Sequence, residues 1–139
     1  MPRKTSVRVI LDTNWYISAA INRGSRRTLY ALLTDPSIEI VFSTELLKEF
    51  QDVISRKRFR KIISETQAMR FQSLVLSKLK EVKIKSTVEL SRDAKDNYLF
   101  ALAMDAEADY LVTGDDDLLV LERIGKTKIV RMAEFVEAL

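Results

Sequence analysis

The chain has 139 residues, 47% of them hydrophobic and 31% charged, with a net charge of +3, the make-up of one ordinary globular domain over 1–139, long enough to bury a core. It has no cysteine and no histidine, which excludes disulfides, thiolate chemistry, Cys/His zinc sites and a Ser-His-Asp triad. Proton transfer or metal binding at neutral pH then falls to Asp, Glu, Lys or Tyr, and oxygen ligands in number point to Mg²⁺ or Mn²⁺.

No apolar run reaches the length of a membrane span, and the apolar stretch after the basic N-terminus is too short for a signal peptide, so a cytoplasmic protein with no membrane partner is expected. The charge is segregated. Residues 56–85 hold ten basic and two acidic side chains, whereas residues 86–139 hold six basic and twelve acidic ones. A basic middle beside an acidic remainder suits a protein that attracts a polyanion and holds cations at one spot, and a well-solvated helix surface accounts for it equally well.

Residues 7–11 form an apolar, β-branched run that reads as a buried strand ending at Asp12. Residues 15–21 and 27–33 read as helical pieces broken near Gly24. A second strand over 38–42 follows the turn signal Asp35-Pro36. Ser43 or Thr44 then caps an amphipathic helix running to about residue 56. A basic turn over 56–61 leads to a helix over 64–80, a short third strand over 82–85 and an apolar, hence buried, helix over 93–107. A fourth strand over 110–113, a fifth over 128–130 and a closing helix over 133–139 complete the reading. Strand and helix in alternation argue for a parallel sheet with helices on both faces, whose ligand crevice lies beyond the carboxyl ends of the strands.

Acidic residues fall where that crevice should be. Asp12 follows the first strand and Asp115 the fourth, with Gly114 leaving room beside it. Glu49 sits about 40° outside Val53, at the seam between the apolar stripe of its helix and water. Asp96 projects between Phe100 and Ala103, an apolar direction that costs free energy unless the carboxylate is paired or bound to a cation. Each acid also has a purely structural reading. Asp12 and Asn14 can cap a helix, Asp93 and Asp96 suit a first helical turn, and the run from Asp115 to Asp117 can be a turn. Several carboxylates around one crevice repel each other and invite a divalent cation, which polarises a phosphoryl oxygen and lowers the pKa of its water. Phosphodiester hydrolysis fits the acidic crevice and the basic flank alike. Arg56, Lys57, Arg58, Arg60 and Lys61 would grip phosphates, with Phe59 as a base-stacking face or as a core residue.

The blocks at residues 9–14 (Val-Ile-Leu-Asp-Thr-Asn), 43–50 (Ser-Thr-Glu-Leu-Leu-Lys-Glu-Phe), 92–97 (Arg-Asp-Ala-Lys-Asp-Asn), 108–119 (Ala-Asp-Tyr-Leu-Val-Thr-Gly-Asp-Asp-Asp-Leu-Leu) and 132–136 (Met-Ala-Glu-Phe-Val) carry a resemblance. Together they resemble the PIN domain nucleases, specifically the compact prokaryotic group of toxins from toxin–antitoxin pairs. The resemblance implies a three-layer α/β/α sandwich with a central parallel sheet of strand order 3-2-1-4-5. It implies Mg²⁺- or Mn²⁺-dependent cleavage of RNA, leaving 5′-phosphate and 3′-hydroxyl ends. By position, Asp12, Glu49, Asp96 and Asp115 match the four family acids, with Asp12, Asp96 and Asp115 as metal ligands and Asp93 and Asp117 as possible additions. Asn14, Ser43 and Thr113 match polar positions that orient carboxylates or water. Ala94 stands where proline is common in this group. The resemblance also implies a homodimer and a small antitoxin partner.

Two other classes compete with a ribonuclease. A non-catalytic RNA- or partner-binding module would use the acids only as caps. A receiver-like phospho-acceptor domain needs an acceptor Asp after the third strand and a Lys after the fifth; here Lys85 and Arg131 stand in those places.

Overall fold

The computed structural model describes residues 6–90 and 93–139, the side chains of 94 and 95 excepted. The basic residues 1–4, Arg92 and the side chain of Ala94 lie outside the described residues. In chain order the elements are β1 (Val7–Leu11), α1 (Thr13–Ile21), α2 (Arg23–Leu33), β2 (Ile38–Phe42), α3 (Thr44–Ile54), α4 (Lys57–Arg60) and α5 (Glu65–Leu76). They continue with β3 (Lys80–Glu81), α6 (Ala94–Ala106), β4 (Tyr110–Val112), α7 (Asp116–Leu119), β5 (Arg123–Ile124), β6 (Thr127–Val130) and α8 (Met132–Glu137).

The sheet has the order β3-β2-β1-β4-β6-β5, parallel throughout except for the antiparallel β5/β6 pair. The five strands expected from the sequence therefore hold the order 3-2-1-4-5, and β5 adds an edge. Crossovers from β1 run outward to β3, and the chain then returns to β4. Right-handed connections in opposite directions place their helices on opposite faces, giving the α/β/α layers. Strand order reverses between β1 and β4, the point where such sheets open a crevice.

The central strands are apolar because both faces are covered. Val9, Ile10, Leu11, Leu111 and Val112 are fully buried. From α6, Leu99 to Ala103 and Ala106 are buried, in line with its apolar sequence. α3 buries Leu46, Phe50 and Ile54, one residue per turn. The Phe50 ring meets Phe71 of α5 at 6.0 Å between centroids.

Local chemistry corrects several expected boundaries. The first helical break lies at Asn22, not Gly24: its side chain accepts from the Ser25 N–H to start α2, while Arg26 donates to the end carbonyls Ala19 and Ala20 of α1. Residues 57–60 of the basic turn form α4, and α5 stops at Leu76 behind a Ser64/Gln67 capping box. The third strand is Lys80–Glu81, not 82–85. Residues 82–88 do alternate in burial, but the N–H groups of Lys85 and Ser86 bond to the Asp105 carboxylate on α6 rather than to the sheet. The acidic run contains the start of α7.

Candidate active site

The β1/β4 ladder sets the centre. Leu11 pairs with Val112, the Asp12 N–H then bonds to the Val112 carbonyl at 2.9 Å, and the Thr113 N–H bonds to the Val130 carbonyl of β6 at 3.0 Å. Asp12 and Thr113 thus leave neighbouring strands side by side. The Thr113 hydroxyl donates to Asp12 Oδ2 at 2.6 Å and accepts from the Asp115 N–H at 3.0 Å. Asp12 Oδ1 accepts from the Asn14 N–H at 3.0 Å, capping α1. Asp115 Oδ1 accepts from the Asp117 N–H at 2.9 Å, capping α7. The capping reading holds for both acids, each cap using one carboxylate oxygen and leaving the other outside the cap. Thr113 is fully buried and Asp12 nearly so.

A second unit approaches from the helices. Ser43, fully buried, caps α3 by accepting from the Leu46 N–H at 3.3 Å, and this fixes where the helix starts and which way Glu49 leaves it. Glu49 is half-buried at the seam expected from its helical angle. The Tyr98 hydroxyl of α6 donates to Glu49 Oε1 at 2.6 Å and stands 3.2 Å from Thr13 Oγ1. Burial pushes the Tyr98 phenol far above its ordinary range, its hydrogen bond to Glu49 and the charges of Glu49 and Asp12 add to the rise, and Thr13 opposes it. Thr13 directly follows Asp12 in the chain, so its contact with Tyr98 brings the two units into one region.

Asp96 lies half-buried in the first turn of α6, two residues before Tyr98, and its N–H bonds to the Asp93 carbonyl at 3.1 Å. Asp93, Asp117 and Asn14 are exposed; Asn14 and Asp117 enter through their backbone N–H groups. Tyr98 and Thr13 were not singled out from the sequence. The available signal was a tyrosine inside an otherwise apolar helix, since a largely buried phenol needs a polar partner for its hydroxyl.

The donor set suits a hard divalent cation. Among the described residues no lysine or arginine forms an ion pair with Asp12, Glu49 or Asp115. Glu49 Oε2 and Asp115 Oδ2 accept no hydrogen bond among those residues. A buried carboxylate held only by neutral donors leaves charge for a cation to neutralise. As the side chains stand, however, no group of three or more acids among the described residues could hold one metal ion. Instead, Thr113 links the Asp12 carboxylate to the Asp115 backbone N–H, and Tyr98 links the Glu49 carboxylate to the Thr13 hydroxyl.

The basic segment is organised differently. Arg56 pairs with Asp52 at 3.2 Å and Arg60 with Glu65 at 3.5 Å. The Arg58 guanidinium lies 4.7 Å above the Phe59 ring, and Phe59 packs against the core. Of the two places the sequence allowed for Phe59, the packing favours the core side, with the ring partly buried and one face under Arg58. Lys57 and Lys61 are exposed.

A family model for the PIN domain matches residues 8–117. The uncharacterized protein MJ1680 of Methanocaldococcus jannaschii is 26% identical over 144 residues, a span covering 96% of this chain and 92% of the relative. Among solved structures the fold is similar to VapBC2 from Rickettsia felis bound to a DNA fragment from their promoter, with a TM-score of 0.61, 20% identity, and coverage of 88% of this chain and 97% of that one. It is also similar to PAE2754 from Pyrobaculum aerophilum, with a TM-score of 0.57, 18% identity, and coverage of 96% and 89%. At those identities the likeness is one of fold.

Proposed function

This chain belongs to the PIN domain family, and from that premise we propose that it is a divalent-metal-dependent endoribonuclease acting as the toxin of a toxin–antitoxin pair. The observation that carries the reading is the hydroxyl-linked Asp12–Thr113–Asp115 unit at the carboxyl edge of β1 and β4, without a basic partner among the described residues. Asp12, Asp96 and Asp115 would hold Mg²⁺ or Mn²⁺, and Glu49 would orient the attacking water. A bound ion at such a site supplies Lewis acidity to a phosphoryl oxygen and a more acidic water. The chain's own contribution is to keep Asp12 fixed between two strand ends and to hold it through Thr113, and in this reading the open oxygens of Glu49 and Asp115 would serve the same ion and its water.

RNA is the substrate favoured by charge. The basic residues from α4 to residue 85 would attract a polyanion toward a crevice whose acids would be screened by the bound metal. The likeness to VapBC2 supports a small antitoxin protein as partner, and a cytoplasmic homodimer of one PIN domain per chain completes the reading. No helix among the described residues is long and apolar enough to cross a membrane.

The test is cleavage of a structured RNA with Mn²⁺. Wild-type protein should cut it, and Asp12→Asn and Asp96→Asn should stay folded and fail; undiminished cutting by both would remove the mechanism. A non-catalytic RNA- or partner-binding module is favoured by one observation, the lack of a three-acid group. Calorimetric titration separates the two readings, since a binder of that kind takes up no divalent ion at millimolar Mg²⁺ or Mn²⁺.

A further inference from the structure

We propose that Tyr98 is a positioning residue for Glu49, fixing one of its carboxylate oxygens through a hydroxyl chain that begins at Thr13. This inference rests on the metal-dependent reading of the same site. A phenol carries one proton, and an ionised carboxylate only accepts. With the Tyr98 proton directed to Glu49 Oε1 at 2.6 Å, the contact of 3.2 Å to Thr13 must run the other way, from the Thr13 hydroxyl to the phenol oxygen. The chain is thus Thr13 to Tyr98 to Glu49, and it spans α1, α6 and α3. Thr13 is buried and directly follows Asp12, so the chain starts beside the strand-borne acid and ends on the helix-borne one.

The arrangement makes the two oxygens of Glu49 unequal. Oε1 is committed to the phenol, and Oε2 accepts no hydrogen bond among the described residues. A glutamate on a half-buried helix face otherwise keeps several rotamers. Tyr98 selects one of them, leaving Oε2 as the oxygen available to an ion or its water. Groups that orient metal-binding carboxylates this way matter for affinity about as much as for activity.

The experiment is a double-mutant cycle read by calorimetric titration of the metal-free protein with Mn²⁺ alone. It uses wild type, Tyr98→Phe, Glu49→Gln and the double variant, with thermal melts confirming that each is folded. Tyr98→Phe should weaken Mn²⁺ binding about tenfold, and the double variant should bind no more weakly than Glu49→Gln. Thr13→Val should shift affinity the same way by a smaller factor. In Mn²⁺-dependent RNA cleavage, Tyr98→Phe should lower kcat with KM retained, and should have no further effect in the Glu49→Gln background. Unchanged Mn²⁺ affinity in Tyr98→Phe, losses that simply add in the double variant, or no Mn²⁺ binding by wild type would overturn the proposal. Coupled Mn²⁺ binding without any RNA cleavage would instead sink the ribonuclease reading and leave the positioning role standing.

Discussion

Acids stand at both ends of the central strands, and among the described residues the ion pairs of Glu39 and Asp109 lie at the amino ends, with none on Asp12, Glu49 or Asp115 at the other. At the amino ends, Glu39 pairs with Arg8 at 2.8 Å and with Lys80 at 3.9 Å. Asp109 accepts from the Arg8 N–H at 2.9 Å and faces Lys126 at 3.7 Å. At the carboxyl ends, Asp12, Glu49 and Asp115 are held by threonine, tyrosine and backbone N–H groups, with no cation paired to them among the described residues. Among the described residues one end carries ion pairs, whereas the other, under the proposed function, keeps its charge for a divalent cation. The sheet could have paired both, since it has basic residues to spare.

The contrast can be broken most forcefully at Asp12. Asp12→Asn should reduce RNA cleavage on the order of 100-fold or more, equivalent to about 2.7 kcal/mol of transition-state stabilisation. Asp109→Asn, at the other end, should leave cleavage unchanged. Equal losses in both would erase the distinction between the ends. Thr113→Val comes next. It removes the donor to a buried carboxylate and the acceptor of the Asp115 N–H, at a cost of about 1–3 kcal/mol in denaturant-measured stability, with a fall in cleavage. Glu39→Gln should cost under about 1 kcal/mol, because its ion pairs are partly exposed.

Acid pH sharpens the same comparison. Asp105, near the end of α6 where Arg8 also binds the Ala106 carbonyl, is held below the ordinary carboxylate range, first by the Ser86 hydroxyl, then by the Ser86 N–H. A lowered folded-state value stabilises the fold above the unfolded value of about 4 and is lost as pH falls through the folded one. Wild type should therefore lose stability more steeply below about pH 4 than Asp105→Asn, measured by denaturation midpoints. The smallest expected change is at Tyr16, whose buried hydroxyl has no hydrogen-bond partner among the described residues. It lines a small apolar cavity between α1, α3 and α5. Tyr16→Phe should be neutral or stabilising by up to about 1 kcal/mol in thermal melts.

The parts of this molecule legible in the sequence are those set by repeating patterns. The apolar run into Asp12, the seam position of Glu49 and the buried character of α6 all follow from burial on a strand or helix period. What the pattern left out is side-chain reach across elements. Tyr98 meets Glu49 from 49 residues away and Thr13 from 85, and no local signal encodes that meeting. Residues 82–88 misled for a related reason. Their alternation records packing of Val82, Ile84 and Val88 on the core; among the described residues only the Val82 N–H still reaches β2, at the Phe42 carbonyl, while the N–H groups of Lys85 and Ser86 go to Asp105. Two-residue β5 is too short for any period. Phe59 shows the limit of composition: a basic neighbourhood did not reveal that its ring packs partly against the core.

The short hairpin at the sheet margin has a further consequence. Gly125, with φ of +57°, occupies the first of the two loop positions between Ile124 and Thr127, where a tight hairpin turn calls for glycine. Folding β5 back over β6 leaves that margin only two residues long, and the opposite margin, Lys80–Glu81, is equally short and charged. A neighbouring molecule that met either margin would find almost no ladder to continue, so crowded copies of this chain are steered away from fibrous stacking.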